Sequence, residues 1–587
     1  MNTSGHIELP AAEHIPCVAA AEGIAVGTLR LLRPDLVAGT GELQSHTVEE
    51  VRHAIDLTHD QLESFQRRIH SRIEESVAQI FRAHLAILRD KTMIEWIETG
   101  VREGRPAAAV IREAYGHHME VFSRSPVASL REKVVDLEDI AVRLMRNLSG
   151  TDRDVDGLRG HIVVATALFP SDLLRLVAQD AAGIVLIGGG ATAHISVLAR
   201  SLQMPLVVCH PSEATRLREG LAVLLDGGQG RLVLNPDPNA LPSYGAPSAA
   251  KPTVTALLPD TVTADGSRIR LLVNVGLLSE ARMARELGAD GIGLYRSEIP
   301  FLLRDDLPSE GDQIAVYRRL LELAPAGGAV IRLLDLGGDK IASYFPQDLG
   351  PNPSLGLRGI RFSLRHPDVF ATQVRAILRA GVGCQLRILL PLVSSVDSFR
   401  RVRNIIANCA ASLRAAGIAH NGAPAVGAMV ELPAAVLVAH ELAREADFLS
   451  IGTNDLVQYI LAVDRTDDRV ADWYVPWHPA VLRAVKMVAD AAISAGRPLS
   501  VCGDMACDPV LLPVLIGMGI TAFSVPPMSL LRVQRGIADI RHDDAAVLAS
   551  RILASGSIAE IEEHLGLPAG ARRSALPVPG SGRSIAR

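Results

Sequence analysis

The 587-residue sequence is poor in aromatic side chains, at 4%, while 48% of it is hydrophobic. Its cores must therefore be built from Ala, Val, Leu and Ile, as in α/β proteins with parallel sheets. No long basic run and no basic-aromatic interleaving is found, and 59 basic residues stand against 65 acidic ones for a net charge of −6. Such a balance argues against a nucleic-acid partner. None of the six cysteines forms a CxxC pair, which reads as free thiols in a reducing compartment, the cytoplasm. The opening "MNTSGHIELPAAEHIP" lacks a basic stretch followed by an apolar one, so no secretory signal is expected. Nor is there an unbroken apolar span: the longest charge-free stretch is interrupted by Pro513, Gly517, Gly519, Pro526 and Pro527. It reads as helix, turn and strand, without membrane insertion.

The length asks for more than one domain. Near the start "GIAVGTLRLL" has the pattern of a strand, and "GHIVVATALF" and "AGIVLIGG" continue that type much further on. Between them, apolar and charged residues recur at helical spacing. This predicts an α/β domain over 1–45 and 149–235 interrupted by a helical subdomain over 46–148. A Pro, Ala and Ser-rich linker over 236–260 follows, and 568–587 reads as a disordered tail.

From 261 to 567, eight short apolar runs alternate with helical patterns: "IRLLVNVG", "GIGLYRSE", "AVIRLLDLGG", "LRILLPLV", "AVGAMVEL", "FLSIGTND", "LSVCGDM" and "AFSVPP". That alternation predicts a (β/α)8 barrel, whose chemistry gathers at the C-terminal ends of the strands. Those ends carry Asn274, Arg296 with Glu298, Arg332 with Asp335, Glu431, Asn454 with Asp455, and Cys502 with Asp504. Following loops add Lys340, Arg358 and Arg465. Several arginines suit bidentate capture of a phosphate and a carboxylate, and paired carboxylates on rigid strands suit a Mg²⁺ ion. A small phosphorylated acid fits that set. Any one of these residues alone would read as an ordinary surface ion pair. Cys502, among charged groups, reads as a proton donor in preference to a covalent nucleophile, because a thiol is protonated near neutral pH.

A second candidate lies in "IGGGATAHISVLARSLQMPLVV". Thr192 can cap a helix starting near Ala193, which puts His194 in the first turn, where free N–H groups favour an anion. Its neutral imidazole needs no separate base to act as a nucleophile. A packed helix-start histidine and a zinc ligand remain open, although Cys209 and His210 form no recognisable metal spacing with it.

These stretches, in this order, resemble enzyme I of the phosphoenolpyruvate-dependent phosphotransferase system, from about Ile15 to about Leu567. "GLYRSEIPF" is closer to the nitrogen-related paralogue, without room for its GAF domain. The resemblance implies phosphoenolpyruvate as substrate, and a swivelling domain in which His194 is phosphorylated. It also implies that Arg296, Arg332 and Arg465 with Asn454 bind the substrate, that Glu431 and Asp455 hold Mg²⁺, and that Cys502 protonates the enolate to pyruvate. The helical subdomain would dock a histidine phosphocarrier protein (HPr), and the barrel would form a homodimer. The sequence departs from the family pattern at Ala191, Ala193 and Asp504. Two alternatives compete: a dikinase or synthase, which needs an ATP-binding domain that the 250 or so residues before the barrel do not accommodate, and a phosphoenolpyruvate-binding regulator, which needs neither nucleophile nor acid.

Overall fold

The computed structural model describes residues 13–32, 46–69, 85–123, 128–150, 157–188, 193–236, 257–302, 307–336, 352–464 and 468–567, apart from a few single positions. Near Pro252 and Thr253 the chain divides into two compact units.

In the first unit seven strands close into a small mixed barrel in the order β1-β5-β4-β3-β2-β6-β7. They are β1 (Glu13–Ala21), β2 (Ile24–Leu31), β3 (His161–Ala165), β4 (Gly183–Ile187), β5 (Leu206–Cys209), β6 (Ala222–Asp226) and β7 (Arg231–Leu234). β2 to β5 run parallel, while β1, β6 and β7 pair antiparallel with their neighbours. Ile15, Leu29, Ile162, Val185, Val207 and Leu232 fill the interior. β1 is a strand that the sequence pattern does not announce, since its Ala-rich run with Pro16 lacks a clean alternation. It is also where one sequence expectation fails. Cys17 and Cys209, read as free thiols, form a disulfide across the β1–β5 pair, where strand register brings residues 192 apart in sequence face to face. Cys384, Cys409, Cys502 and Cys507 are free.

The insert between β2 and β3 holds α1 (Val48–Ile69), α2 (Lys91–Arg102), α3 (Ala107–Ser123) and α4 (Ala128–Leu148). Thr47 and Glu50 form a reciprocal capping box that starts α1, at 3.2 and 2.7 Å. Val51, Leu62, Ile97, Ile111, Tyr115 and Leu144 make a core separate from that of the strands. A polar joint ties α4 to α5 (Pro170–Ala178): Asp139 accepts from the backbone N–H of Ser171 at 3.0 Å, and Arg146 bonds Asp172 at 3.0 Å. α6 (Ala193–Ser201) follows β4, so the helix expected to carry His194 forms where the sequence placed it.

In the second unit the eight apolar runs are eight parallel strands of one closed barrel. They are β8 (Arg270–Val275), β9 (Gly291–Arg296), β10 (Ala329–Arg332), β11 (Arg387–Leu390), β12 (Ala425–Val430), β13 (Leu449–Gly452), β14 (Leu499–Cys502) and β15 (Ala522–Val525). The large core lies outside the strands, against the helices, with Ile331, Ile388, Val430 and Ile451 pointing into it. The alternate positions point inward. There Leu294, Val330, Leu389, Met429 and Phe448 form a small plug with Cys502. Gly427 makes room for it, because a Cβ at that position would stand 2.4 Å from the Phe448 ring. Leu257 and Leu258 already bond to the barrel, through Leu287 and Gln534. Most of the linker 236–260 and the whole of the tail 568–587 lie outside the described residues.

Candidate active site

The two-residue period of a strand carries the plug straight into the chemistry. Two residues beyond Leu294, Val330 and Met429 come Arg296, Arg332 and Glu431, and two beyond Ser500 comes Cys502. A layer of ionic side chains therefore sits on an apolar floor, at the ends of neighbouring strands.

Four buried or nearly buried carboxylates and two arginines are threaded together there. Arg332 donates to Glu298 and lies 3.4 Å from Asp335. Arg358 bonds both oxygens of Asp335 at 3.1 Å, reaches Asp455 at 2.8 Å and donates to the Tyr459 hydroxyl at 3.2 Å. Arg358, expected at the substrate, has its guanidinium tied to two carboxylates and a phenol, and in this arrangement it holds Asp335 and Asp455 in place. Arg296, half-exposed at the end of β9, makes no ion pair among the described residues. The buried Nε of Arg332 finds no hydrogen-bond partner among them either. Both face the layer with donors to spare for an anion.

Glu431, 1% exposed, accepts the Leu392 N–H at 2.6 Å. Leu392 adopts a left-handed backbone, φ 50°, an unusual state for a branched side chain that the surrounding contacts must hold. Burial first, and then the Asp455 and Asp335 carboxylates, push the Glu431 carboxyl up to about 8. A Cβ on Gly452 would stand 2.7 Å from Glu431 Oε2, so the missing side chain keeps the ground beside that oxygen clear. An all-oxygen donor pair, Glu431 and Asp455, crowded by further carboxylates and set beside a cleared space, fits a hard divalent cation.

Asn454 and Asp455 open the helix Thr453–Leu461 directly after β13. Asn454 Oδ1 accepts the Asp504 N–H at 2.8 Å, and Thr453 donates to the Cys502 carbonyl at 2.9 Å, which stitches the ends of β13 and β14 together. Gly503 is needed at φ 94°, since a Cβ there would meet Thr453 Oγ1 at 2.3 Å. Cys502 itself is 3% exposed, and burial first, with Glu431 adding to it against the Ser450 hydrogen bond, raises its thiol to about 11. It is a thiol, and so a proton donor, at neutral pH.

His194 lies in the first turn of α6, in the other unit; its side chain, with Thr192, lies outside the described residues, as do Lys340 and Arg465. Just before this segment, Gly188 takes a positive φ of 80°, and its N–H bonds the Cys209 carbonyl at 2.9 Å, so the loop leaves the barrel next to the disulfide.

The PEP-binding domain of PEP-utilising enzymes matches residues 255–542, their N-terminal domain residues 17–133 and their mobile domain residues 157–230. Relatives named phosphoenolpyruvate-protein phosphotransferase from Bacillus sp. (strain S) and Geobacillus stearothermophilus are each 34% identical, over 93% of this chain and 96% of theirs. One from Haloferax volcanii is 38% identical over 86% of this chain and 90% of its own. The chain belongs to the phosphoenolpyruvate-protein phosphotransferase family.

In this phosphotransferase the stretch matched by the PEP-binding domain, residues 255–542, takes in the whole ionic layer. Sequence reasoning found its charged members because charge at a strand end is visible in a pattern. It passed over Leu392, Gly452 and Ser450. Of these only Gly452 left a signal, the glycine in "SIGTND" between an inward serine and a carboxylate.

Proposed function

We propose that the barrel binds phosphoenolpyruvate through Arg296, Arg332, Arg465 and Asn454, and that His194 takes its phosphoryl group, releasing pyruvate. The single observation that carries the barrel half is the ionic layer itself: two arginines with unused donors beside a carboxylate pair, all on strand ends over an apolar floor. Glu431 and Asp455 would hold Mg²⁺, which, when bound, offsets negative charge on the substrate oxygens. Arg358 keeps Asp335 and Asp455 oriented, and Lys340 completes the anion site. The guanidiniums fix the carboxylate and phosphate of the substrate and then the enolate that remains. Cys502, a buried thiol, protonates that enolate at carbon.

His194 then passes the phosphoryl group to a histidine phosphocarrier protein, HPr or its nitrogen-branch homologue, docked on the helical insert over 46–148. "GLYRSEIPF" favours the nitrogen branch over sugar transport. Nucleophile and substrate site belong to different units, so the domain over 1–45 and 149–235 swivels about the linker 236–260 between charging and discharging. The barrel over 261–567 serves as the dimerising half, and its exposed Leu437, Trp473 and Ile493 suit a self-association surface. The proposed setting is the cytoplasm, for which the four free cysteines speak and against which the Cys17–Cys209 disulfide counts; no described helix is long and apolar enough to cross a membrane.

The test is incubation with phosphoenolpyruvate and Mg²⁺. Pyruvate release with acid-labile phosphate on His194 is expected. His194→Ala should abolish the label while phosphoenolpyruvate still binds, as read by calorimetry. Phosphate mapped to another residue would sink the assignment. Offering HPr-type carriers from the same genome one at a time then decides the branch.

A further inference from the structure

Cys502 poses a supply problem. Each pyruvate takes a proton from the thiol, yet Cys502 is 3% exposed and packed on Leu294, Val330, Leu389, Met429 and Phe448, none of which can carry a proton. The mouth of the barrel is where the substrate sits during turnover. Below Cys502, on the inner face, hydroxyl groups lead the other way. Register sets Ser450 of β13 opposite Ser500 of β14, and Gly452 opposite Cys502. Ser500 Oγ donates to Ser450 Oγ at 3.2 Å, Ser450 Oγ donates to Cys502 Sγ at 3.7 Å, and Cys502 donates to the Ile451 carbonyl at 3.4 Å. All three bonds point the same way. Ser450 is 1% exposed, whereas Ser500 is half-buried, so the series runs from a position with solvent contact to a sealed one.

We propose that Ser500 and Ser450 form the route by which Cys502 regains its proton from solvent after each protonation of the enolate. This rests on the reading of Cys502 as the acid. The bookkeeping closes without any further reagent. The Cys502 S–H bond breaks as a C–H bond forms on the enolate, which leaves pyruvate and a thiolate. Ser450 gives its hydroxyl proton to Sγ, Ser500 gives its own to Ser450, and a solvent proton replaces that of Ser500. One proton enters per pyruvate, and no alkoxide persists, because the shifts are concerted along bonds already formed. Ser450 and Ser500 touch no substrate and are positioning residues in this scheme.

Reversibility supplies the test. Protein with phosphoenolpyruvate, carbon-labelled pyruvate and Mg²⁺ in D₂O is followed for two rates: label passing between the two acids, which counts phosphoryl cycles, and deuterium entering the pyruvate methyl group. When the route is open, deuterium enters once per cycle. When it is cut, the proton abstracted from pyruvate stays on Cys502 and returns. In Ser450→Ala, and in Ser500→Ala, the ratio of deuterium entry to label exchange is expected to fall by roughly tenfold, and Ser450→Thr, which keeps the hydroxyl, is expected to restore it. A merely structural defect would slow both rates together. If the ratio in both alanine variants equals that of the wild type while Cys502→Ala slows label exchange, the route is overturned and the acid stands. If Cys502→Ala exchanges label at the wild-type rate, the acid assignment itself falls. Should Ser450→Ala fail to fold, Ser500→Ala, at the half-buried end, carries the same measurement.

Discussion

Leu392 and Cys502 show two ways in which a single residue serves this site. Leu392 contributes no side-chain chemistry; its left-handed backbone turns an N–H onto Glu431, a role that nothing in the letter "L" announces. In the reaction we propose, Cys502 supplies a proton, a role read from its location among strand-end charges. Cys502→Ala is expected to lower steady-state pyruvate formation by more than about tenfold, with little change in substrate affinity. Equal turnover, with protonation shown to limit the rate, would make the thiol mere packing. The same residue marks stability. Its thiol titrates near 9.0 when unperturbed and near 11 in the fold, so between those values the native chain holds more protons than the unfolded one. That contribution is complete below 9.0 and is lost as pH rises toward 11. Denaturant unfolding at both ends of the window should show stability falling with pH, and falling less in Cys502→Ala.

At the scale of strands and helices, the barrel was open to reading and the first unit was only partly so. Eight apolar runs became eight strands because a strand buried on both faces must be apolar along most of its length. β1 escaped because Pro16 and a run of alanines give neither alternation nor β-branched residues, and only its partners β5 and β7 make it a strand. Nothing in the sequence links Ser450 to Ser500, 50 residues apart; strand register sets them side by side. Close fits inside the barrel are equally silent in sequence. Gly427 yields its volume to Phe448, so Gly427→Ala drives a Cβ to 2.4 Å from that ring. The expected cost is about 1–3 kcal/mol of stability, read by denaturant unfolding, and adding Phe448→Leu should recover part of it. Two additive losses would show that the clash is relieved elsewhere.

Across the whole molecule, the division into two units should appear as two unfolding events. Only the first unit contains a disulfide among the described residues, so reductant, or Cys17→Ser, should lower that transition by about 2–4 kcal/mol and leave the barrel transition where it was. A shift of both would mean that the two units do not unfold independently. The bond joins Cys17 to Cys209, and the whole insert between β2 and β3, α1 to α4 included, lies within the stretch it spans. The insert is therefore a bight in a covalent ring, its two ends knotted off behind it. A protease that nicks the backbone once inside α1 to α4 would open the ring without parting it, and the cleaved chain would migrate as one species until a reducing agent released the shorter N-terminal piece.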